Sequence, residues 1–296
     1  MPLNLPTPEP LAPGLYVVTT PIGNRSDITM RALSVLAQVE LIAAEDTRHT
    51  RRLLAAHGIE NQLISYHEHN EVQRAEMLAE RLSQGAAIAV VSNAGTPTVS
   101  DPGYRLVCAA VARGVPVYPI PGVSAAVTAL SVSGLPSDQF TFVGFPARKK
   151  NRRAEQLKAL AQVPHTLIFY QSPQRLLEFV EEVKEIFGDR AAVLAREMTK
   201  VHEEFIRGAL SELLRALKQK NAIKGECTLL VAGASPADPD AMEEEDLDQA
   251  ILTGLGDEEL SLKDLSKNLA QRFNLGRKQI YDRALMLQKS ASKSES

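Results

Sequence analysis

The sequence predicts an α/β protein built on two sheet-bearing domains with a small helical domain after them. Three observations carry this. From Leu15 onward, short β-branched runs alternate with longer helical stretches, the mark of crossover units in a parallel sheet. Beyond Pro136 the strand-like runs come close enough together for hairpins within a mixed sheet. Past an acidic stretch the strand signal stops and two helical patterns remain.

In the first domain, 15–122, the candidate strands are residues 15–20, 41–44, 62–66, 87–92 and 115–120. Helical patterns cover 29–38, 48–57, 71–84 and 104–113, the first capped at Ser26 or Asp27. A further helical stretch, 123–133, is broken by Gly134 and Pro136, which marks the crossing into the second domain, 123–234. There, residues 140–144, 166–170, 191–195, 203–208 and 227–232 are strand-like, the last four suited to one mixed sheet. Helices fit 152–162, 173–187 and 210–219. Residues 235–248 include Glu243-Glu244-Glu245-Asp246 and read as an acidic linker with little to bury. In the domain at 249–290, patterns at 260–273 and 277–288 are joined by Asn274-Leu275-Gly276, which is helix-turn-helix spacing. The proline-rich lead, 1–14, and the tail, 291–296, are expected to be disordered.

Composition bounds the function classes. With 296 residues and 44% apolar content the chain can bury two cores, which excludes a single small binding module. A formal charge of −3 gives no global basic field, so nucleic-acid contacts must come from local clusters. Cys108 and Cys227 lie far apart with no ligand pattern and read as small buried apolar residues of a reducing compartment. No signal peptide and no apolar run of about 20 residues is present, and a cytoplasmic protein is expected.

Three small-residue loops follow strand ends. Thr19-Thr20-Pro21-Ile22-Gly23-Asn24 closes the first strand, and alone it is an ordinary turn rather than a dinucleotide fingerprint. Ser92-Asn93-Ala94-Gly95-Thr96-Pro97, continued by Val99-Ser100-Asp101-Pro102-Gly103, exposes backbone donors and acceptors without bulk. Pro121-Gly122-Val123-Ser124-Ala125 repeats the device, with a hydroxyl at a helix start. Loops at one edge of one sheet converge on one cleft.

In order and spacing these motifs resemble the tetrapyrrole methylase superfamily over residues 15–233. Ala44-Glu45-Asp46-Thr47-Arg48-His49, Ser65-Tyr66-His67-Glu68-His69-Asn70-Glu71 and Arg196-Glu197-Met198-Thr199-Lys200 are similar to its ribosomal RNA small subunit methyltransferase I branch. The resemblance implies a cleft between two α/β domains that holds S-adenosylmethionine, a homodimer, and methyl transfer to a ribose 2′-hydroxyl of a cytidine in small-subunit ribosomal RNA. The implied donor contacts are Ile22, Gly95, Thr96, Val99, Ser124, Ala125, Tyr170 and Thr228. Asn93, Gln171 and Gln174 depart from the aspartate, glutamate and histidine more common in the branch.

Such a transfer needs help removing the hydroxyl proton. Glu45, Asp46 and His67 are the candidates from strand order, with Arg48 to orient them or grip a phosphate; a helix N-cap is the competing role for Asp46. His67, Glu68 and His69 lack a third ligand, and no metal is expected. Arg148, Lys149, Lys150, Arg152 and Arg153 form a basic run suited to RNA phosphates, or else a solvated face. Arg272, Arg277, Lys278 and Arg283 place further cations on the terminal helices, which serve RNA or docking. A tetrapyrrole or other small-molecule methylase is the alternative, and a DNA-binding regulator a third reading.

Overall fold

A computed structural model describes residues 10–234, 239–255, 261–273 and 276–291. The first sheet has strands β1 (Gly14–Val18), β2 (Leu41–Ala44), β3 (Leu63–Ser65), β4 (Ala87–Val91) and β5 (Val117–Ile120) in the order β3-β2-β4-β1-β5. Every pairing is parallel. Both β2 and β4 are buried along their whole length, as apolar runs covered on two faces must be. Helices α1 (Met30–Gln38) and α2 (Thr47–Ala56) cover one face, where Val35, Leu36 and Leu54 meet Val18, Ile42 and Ala89. Helices α3 (Glu71–Ser83) and α4 (Tyr104–Ala112) cover the other, where Leu78, Leu82 and Leu106 meet Leu15, Leu41 and Ile88. Parallel pairing brings the carboxyl ends of these strands, and the loops that follow them, to one edge.

The first helix begins later than the cap expected at Ser26 or Asp27. Asn24 accepts a hydrogen bond from the Ser26 N–H and closes a separate turn over Arg25–Asp27, so Thr29 caps α1 by accepting from the Ala32 N–H at 3.1 Å.

Helix α5 (Ala125–Ser131) leads to a second sheet of β6 (Phe140–Gly144), β7 (Thr166–Gln171), β8 (Ala191–Arg196), β9 (Glu204–Ala209) and β10 (Cys227–Val231). Its order is β6-β7-β10-β8-β9; β6 runs parallel to β7 and the other pairings are antiparallel. Helices α6 (Lys150–Leu160), α7 (Pro173–Phe187) and α8 (Leu210–Lys218) bury Leu157, Phe179 and Leu213 against Phe169, Leu194 and Leu229. On the opposite face Ile168, Val193 and Leu230 pack with Ala129 and Leu130 of α5, and with Ile22 from the first sheet's edge. That shared core joins both sheets into one compact unit that ends at Gly233.

From Ala234 a second compact unit begins, with α9 (Pro239–Leu255), α10 (Leu262–Phe273) and α11 (Arg277–Ala291). Most of the stretch expected to be an acidic linker is therefore helix. Leu247 and Ile251, one turn apart, bury against Leu265, Leu269, Ile280 and Ala284, and this small core stabilises a helix that local composition disfavours. Residues 1–9 of the lead and 292–296 of the tail lie outside the described residues. Cys227 is buried, but Cys108 is exposed, because it falls one turn after Tyr104 on the outward face of α4. Among the described residues no helix is long and apolar enough to cross a membrane.

Candidate active site

The three small-residue loops are fastened to one another and to the second sheet. Thr20 and Gly95 exchange backbone hydrogen bonds, each at 2.9 Å, which ties the first loop to the second. Gly122 of the third loop lies so close to the first that a Cβ there would stand 2.8 Å from Thr19 Cγ2. The first loop also docks on residues 197–200. The Asn24 N–H donates to Thr199 Oγ1 at 3.0 Å, and a Cβ on Gly23 would lie 2.7 Å from that oxygen. Thr98, Ser100, Glu197 and Thr199 all hold positive φ, strained backbone concentrated in the two facing loops.

Between the sheets these loops enclose a cavity of about 470 Å³, within the usual range for small-molecule sites. Ile22, Gly95, Thr96, Val99, Ser124, Ala125, Tyr170 and Thr228, all expected to touch a donor, line it together. Ser124 caps α5 without a side-chain hydrogen bond to the helix. Asn93 lines the cavity with its Oδ1 buried and unpartnered, an acceptor that a ligand can satisfy. Gln171, at the end of β7, also lines the cavity, and its Oε1 accepts from the Ser172 N–H at 2.9 Å. Gln174 is exposed and does not line the cavity.

Three carboxylates, Glu45, Asp101 and Glu226, share this space. Glu45 Oε2 accepts from the Asn93 backbone N–H at 3.0 Å. Asp101 sits nearby, and burial, reinforced by the negative charge of Glu45, pushes its carboxyl up to about 6. Asp46 points elsewhere. It caps α2, accepting from the Arg48 and His49 N–H groups, and the Arg48 side chain, hydrogen-bonded at 3.0 Å, holds its carboxyl down at about 2. His67 does not line the cavity; its backbone N–H donates to Asn70 Oδ1 and its ring packs edge to face on His69. Among the described residues no cluster of three or more His, Cys, Asp or Glu side chains could hold a metal ion.

A sequence profile of the Tetrapyrrole (Corrin/Porphyrin) Methylases matches residues 14–214, which span both sheets up to β9 and about half of α8. The chain belongs to the tetrapyrrole methylase family. Its relatives include proteins that bear the name ribosomal RNA small subunit methyltransferase I. The protein from Micromonospora olivasterospora is 50% identical over 226 residues, covering 76% of this chain and 72% of its own. That of Escherichia coli O157:H7 is 47% identical over 276 residues, covering 92% of this chain and 94% of its own. Among solved structures, uroporphyrin-III-C-methyltransferase from Thermus thermophilus aligns with a TM-score of 0.53 at 22% identity, over 74% of this chain and 94% of that one, a likeness of fold.

In this methylase the basic run divides. Arg148, Lys149, Lys150 and Arg152 are exposed and form no ion pair with the described residues. Arg153 does not belong with them. It is buried, bonded to both Glu182 oxygens at 2.6 and 2.7 Å and to Glu178 at 2.8 Å, because it lies on the face of α6 that carries Leu157 into the core. Its five-donor guanidinium joins α6 to α7 and is not presented to a ligand. On the terminal helices Arg283 is likewise engaged, bidentate to Asp248 at 2.9 and 3.0 Å, whereas Arg277 and Lys278 are exposed. The side chain of Arg272 lies outside the described residues.

Among the lining residues that sequence reasoning missed are Asp101, Phe145, Met198, Glu226 and Cys227. Asp101 belongs to the second small-residue loop, but spacing gave no signal that a charged side chain would turn inward there. Phe145 follows the strand-ending Gly144 and reaches the cavity by packing edge to face on Tyr170.

Proposed function

We propose that this methylase transfers a methyl group from S-adenosylmethionine to the ribose 2′-oxygen of a cytidine in small-subunit ribosomal RNA. The observation that carries the reading is the gathering of eight expected donor contacts and three carboxylates in one cavity, in a chain whose relatives are named for ribosomal RNA methylation. Bound, the donor supplies an electrophilic methyl group on a good leaving group. The small side chains of Ala94, Gly95, Ser124 and Ala125 leave room for it, Ser124 offers a free hydroxyl, and Tyr170 and Thr228 close the second-sheet side. The chain's remaining tasks are to hold the attacking oxygen in place and take its proton. Asp101 Oδ is the acceptor of that proton, since a carboxyl near 6 matches work close to neutral pH. Glu45 keeps Asp101 basic through its charge and braces the loop through Asn93. Asp46 serves as a cap and Arg48 contacts RNA. Arg148, Lys149, Lys150 and Arg152 supply phosphate contacts, which a porphyrin-like substrate would not need.

The protein acts in the cytoplasm as a homodimer. Supporting the dimer, α3 and α4 pack side by side and expose the large apolar side chains of Val72, Met77, Tyr104 and Val111. Mapping methyl groups on ribosomal RNA from cells with and without the protein tests the reaction. Loss of one ribose methylation is expected; an unchanged map, or a lost base methylation, overturns the reading.

A further inference from the structure

A second cavity of about 470 Å³ adjoins the first, with Ile22, Asn93, Ala94 and Glu226 in the wall common to both. It forms where the 21–25 loop, the start of α2 and Lys200 meet. The end of β2 divides the two spaces, for Glu45 lines the first and its neighbour Asp46 lines the second.

The charges around the second cavity are unequally committed. Lys200 is held by Glu197 at 2.8 Å and Glu226 at 3.0 Å, and Asp46 by Arg48 and the amides of α2. Arg25 and Arg52 are exposed and have no ion-pair partner among the described residues. His49 and Arg52, three residues apart, share one face of α2, while Arg25 comes from the turn after the first loop. Two unneutralised guanidiniums on the rim of a concave space make a site for phosphate, which their planar forks bind in a bidentate manner. Asn93 adds an independent sign, because its unpartnered Oδ1 stands in the common wall.

We infer that the second cavity seats the acceptor nucleotide, with its flanking phosphate between Arg25 and Arg52, His49 beside it, and one of its hydrogen-bond donors meeting Asn93 Oδ1. This rests on the RNA reading above. It adds to the cations at 148–152 a site whose wall the donor cavity shares, so a nucleotide held there lies next to the methyl donor.

The test uses the full-length protein with Arg25 and Arg52 both changed to Gln. A fluorescent single-stranded RNA oligonucleotide is titrated at several salt concentrations, and S-adenosylhomocysteine is titrated by calorimetry. The expected result is RNA affinity roughly tenfold to a hundredfold weaker, a salt slope lower by about 0.7 for each phosphate no longer neutralised, and unchanged S-adenosylhomocysteine affinity. RNA binding with an unaltered slope overturns the inference, and so does a parallel loss of both affinities, which would make the arginines part of the donor cavity or the fold. Failure of the wild-type protein to alter any ribose methylation would count against the proposed reaction alone, because the binding comparison reads the cavity directly.

Discussion

Glu45 accepts the backbone N–H of Asn93 at 3.0 Å, and so the residue after β2 is locked to the loop after β4, the adjacent strand of the sheet. The bond fixes the charge of Glu45 in the wall of the cavity and orients the loop that carries Ala94, Gly95 and Thr96. Glu45→Gln keeps the shape but weakens the acceptor and removes its charge from Asp101. Single-turnover methylation should fall by about tenfold to a hundredfold, with melting temperature lowered only slightly. Unchanged turnover would remove Glu45 from the mechanism.

Asp46 should behave as the opposite case. Asp46→Asn loses the charge that engages Arg48 and favours the start of α2, so the melting temperature falls while donor affinity holds. Its folded carboxyl is held below the ordinary value, at about 2, so the stability it contributes is complete above about pH 4 and is lost as pH falls toward 2. Melting curves of the wild type and variant should therefore converge in acid.

Ser124→Ala separates ligand chemistry from folding. Because the hydroxyl makes no cap bond to α5, the variant should unfold like the wild type. Losing one hydrogen bond to the donor, worth roughly 1 kcal/mol, should weaken S-adenosylhomocysteine binding about fivefold by calorimetry.

Much of this arrangement was legible because parallel strands are written as uninterrupted apolar runs and their loops as small residues: 41–44 and 87–91 are buried throughout, and the loops at 92–103 and 121–125 do meet. What failed to show were properties of partners distant in sequence. Arg153 looks like any member of a basic run until Glu182, 29 residues on, is brought beside it. The helix at 239–255 reads as solvated acid because its support comes from Leu265 and Ile280. Asp101 is one of several polar loop residues until burial and Glu45 set it apart.

The division of the basic run is itself measurable. Arg153→Ala leaves Glu182 buried without its partner and should cost roughly 3 kcal/mol in denaturant unfolding. Replacing Arg148, Lys149, Lys150 and Arg152 with Gln should change stability by no more than about 0.5 kcal/mol, yet reduce the salt dependence of RNA binding. Equal effects of the two variants on stability would contradict the assignment.

Asp101 gives the reaction a pH signature. Its folded carboxyl titrates at about 6, above its ordinary 3.8, so the folded state holds this proton more tightly than the unfolded chain does. The stability that the neutral form contributes is fully present below about pH 4 and is lost as pH rises through 6. Asp101→Asn makes the neutral form permanent. Relative to the wild type it should gain stability between pH 5 and 8, by about 1 kcal/mol after discounting for the water that reaches the site, with no gain near pH 4. Activity should move the other way. Proton acceptance needs the ionised form, so wild-type single-turnover rates should climb through pH 6 and level off above 7, and the variant should lose that inflection along with about 10² to 10⁴ in rate. A variant that is more stable at neutral pH, slow, and flat across the profile would identify Asp101 as the proton acceptor; retention of the wild-type inflection would assign the proton to another group.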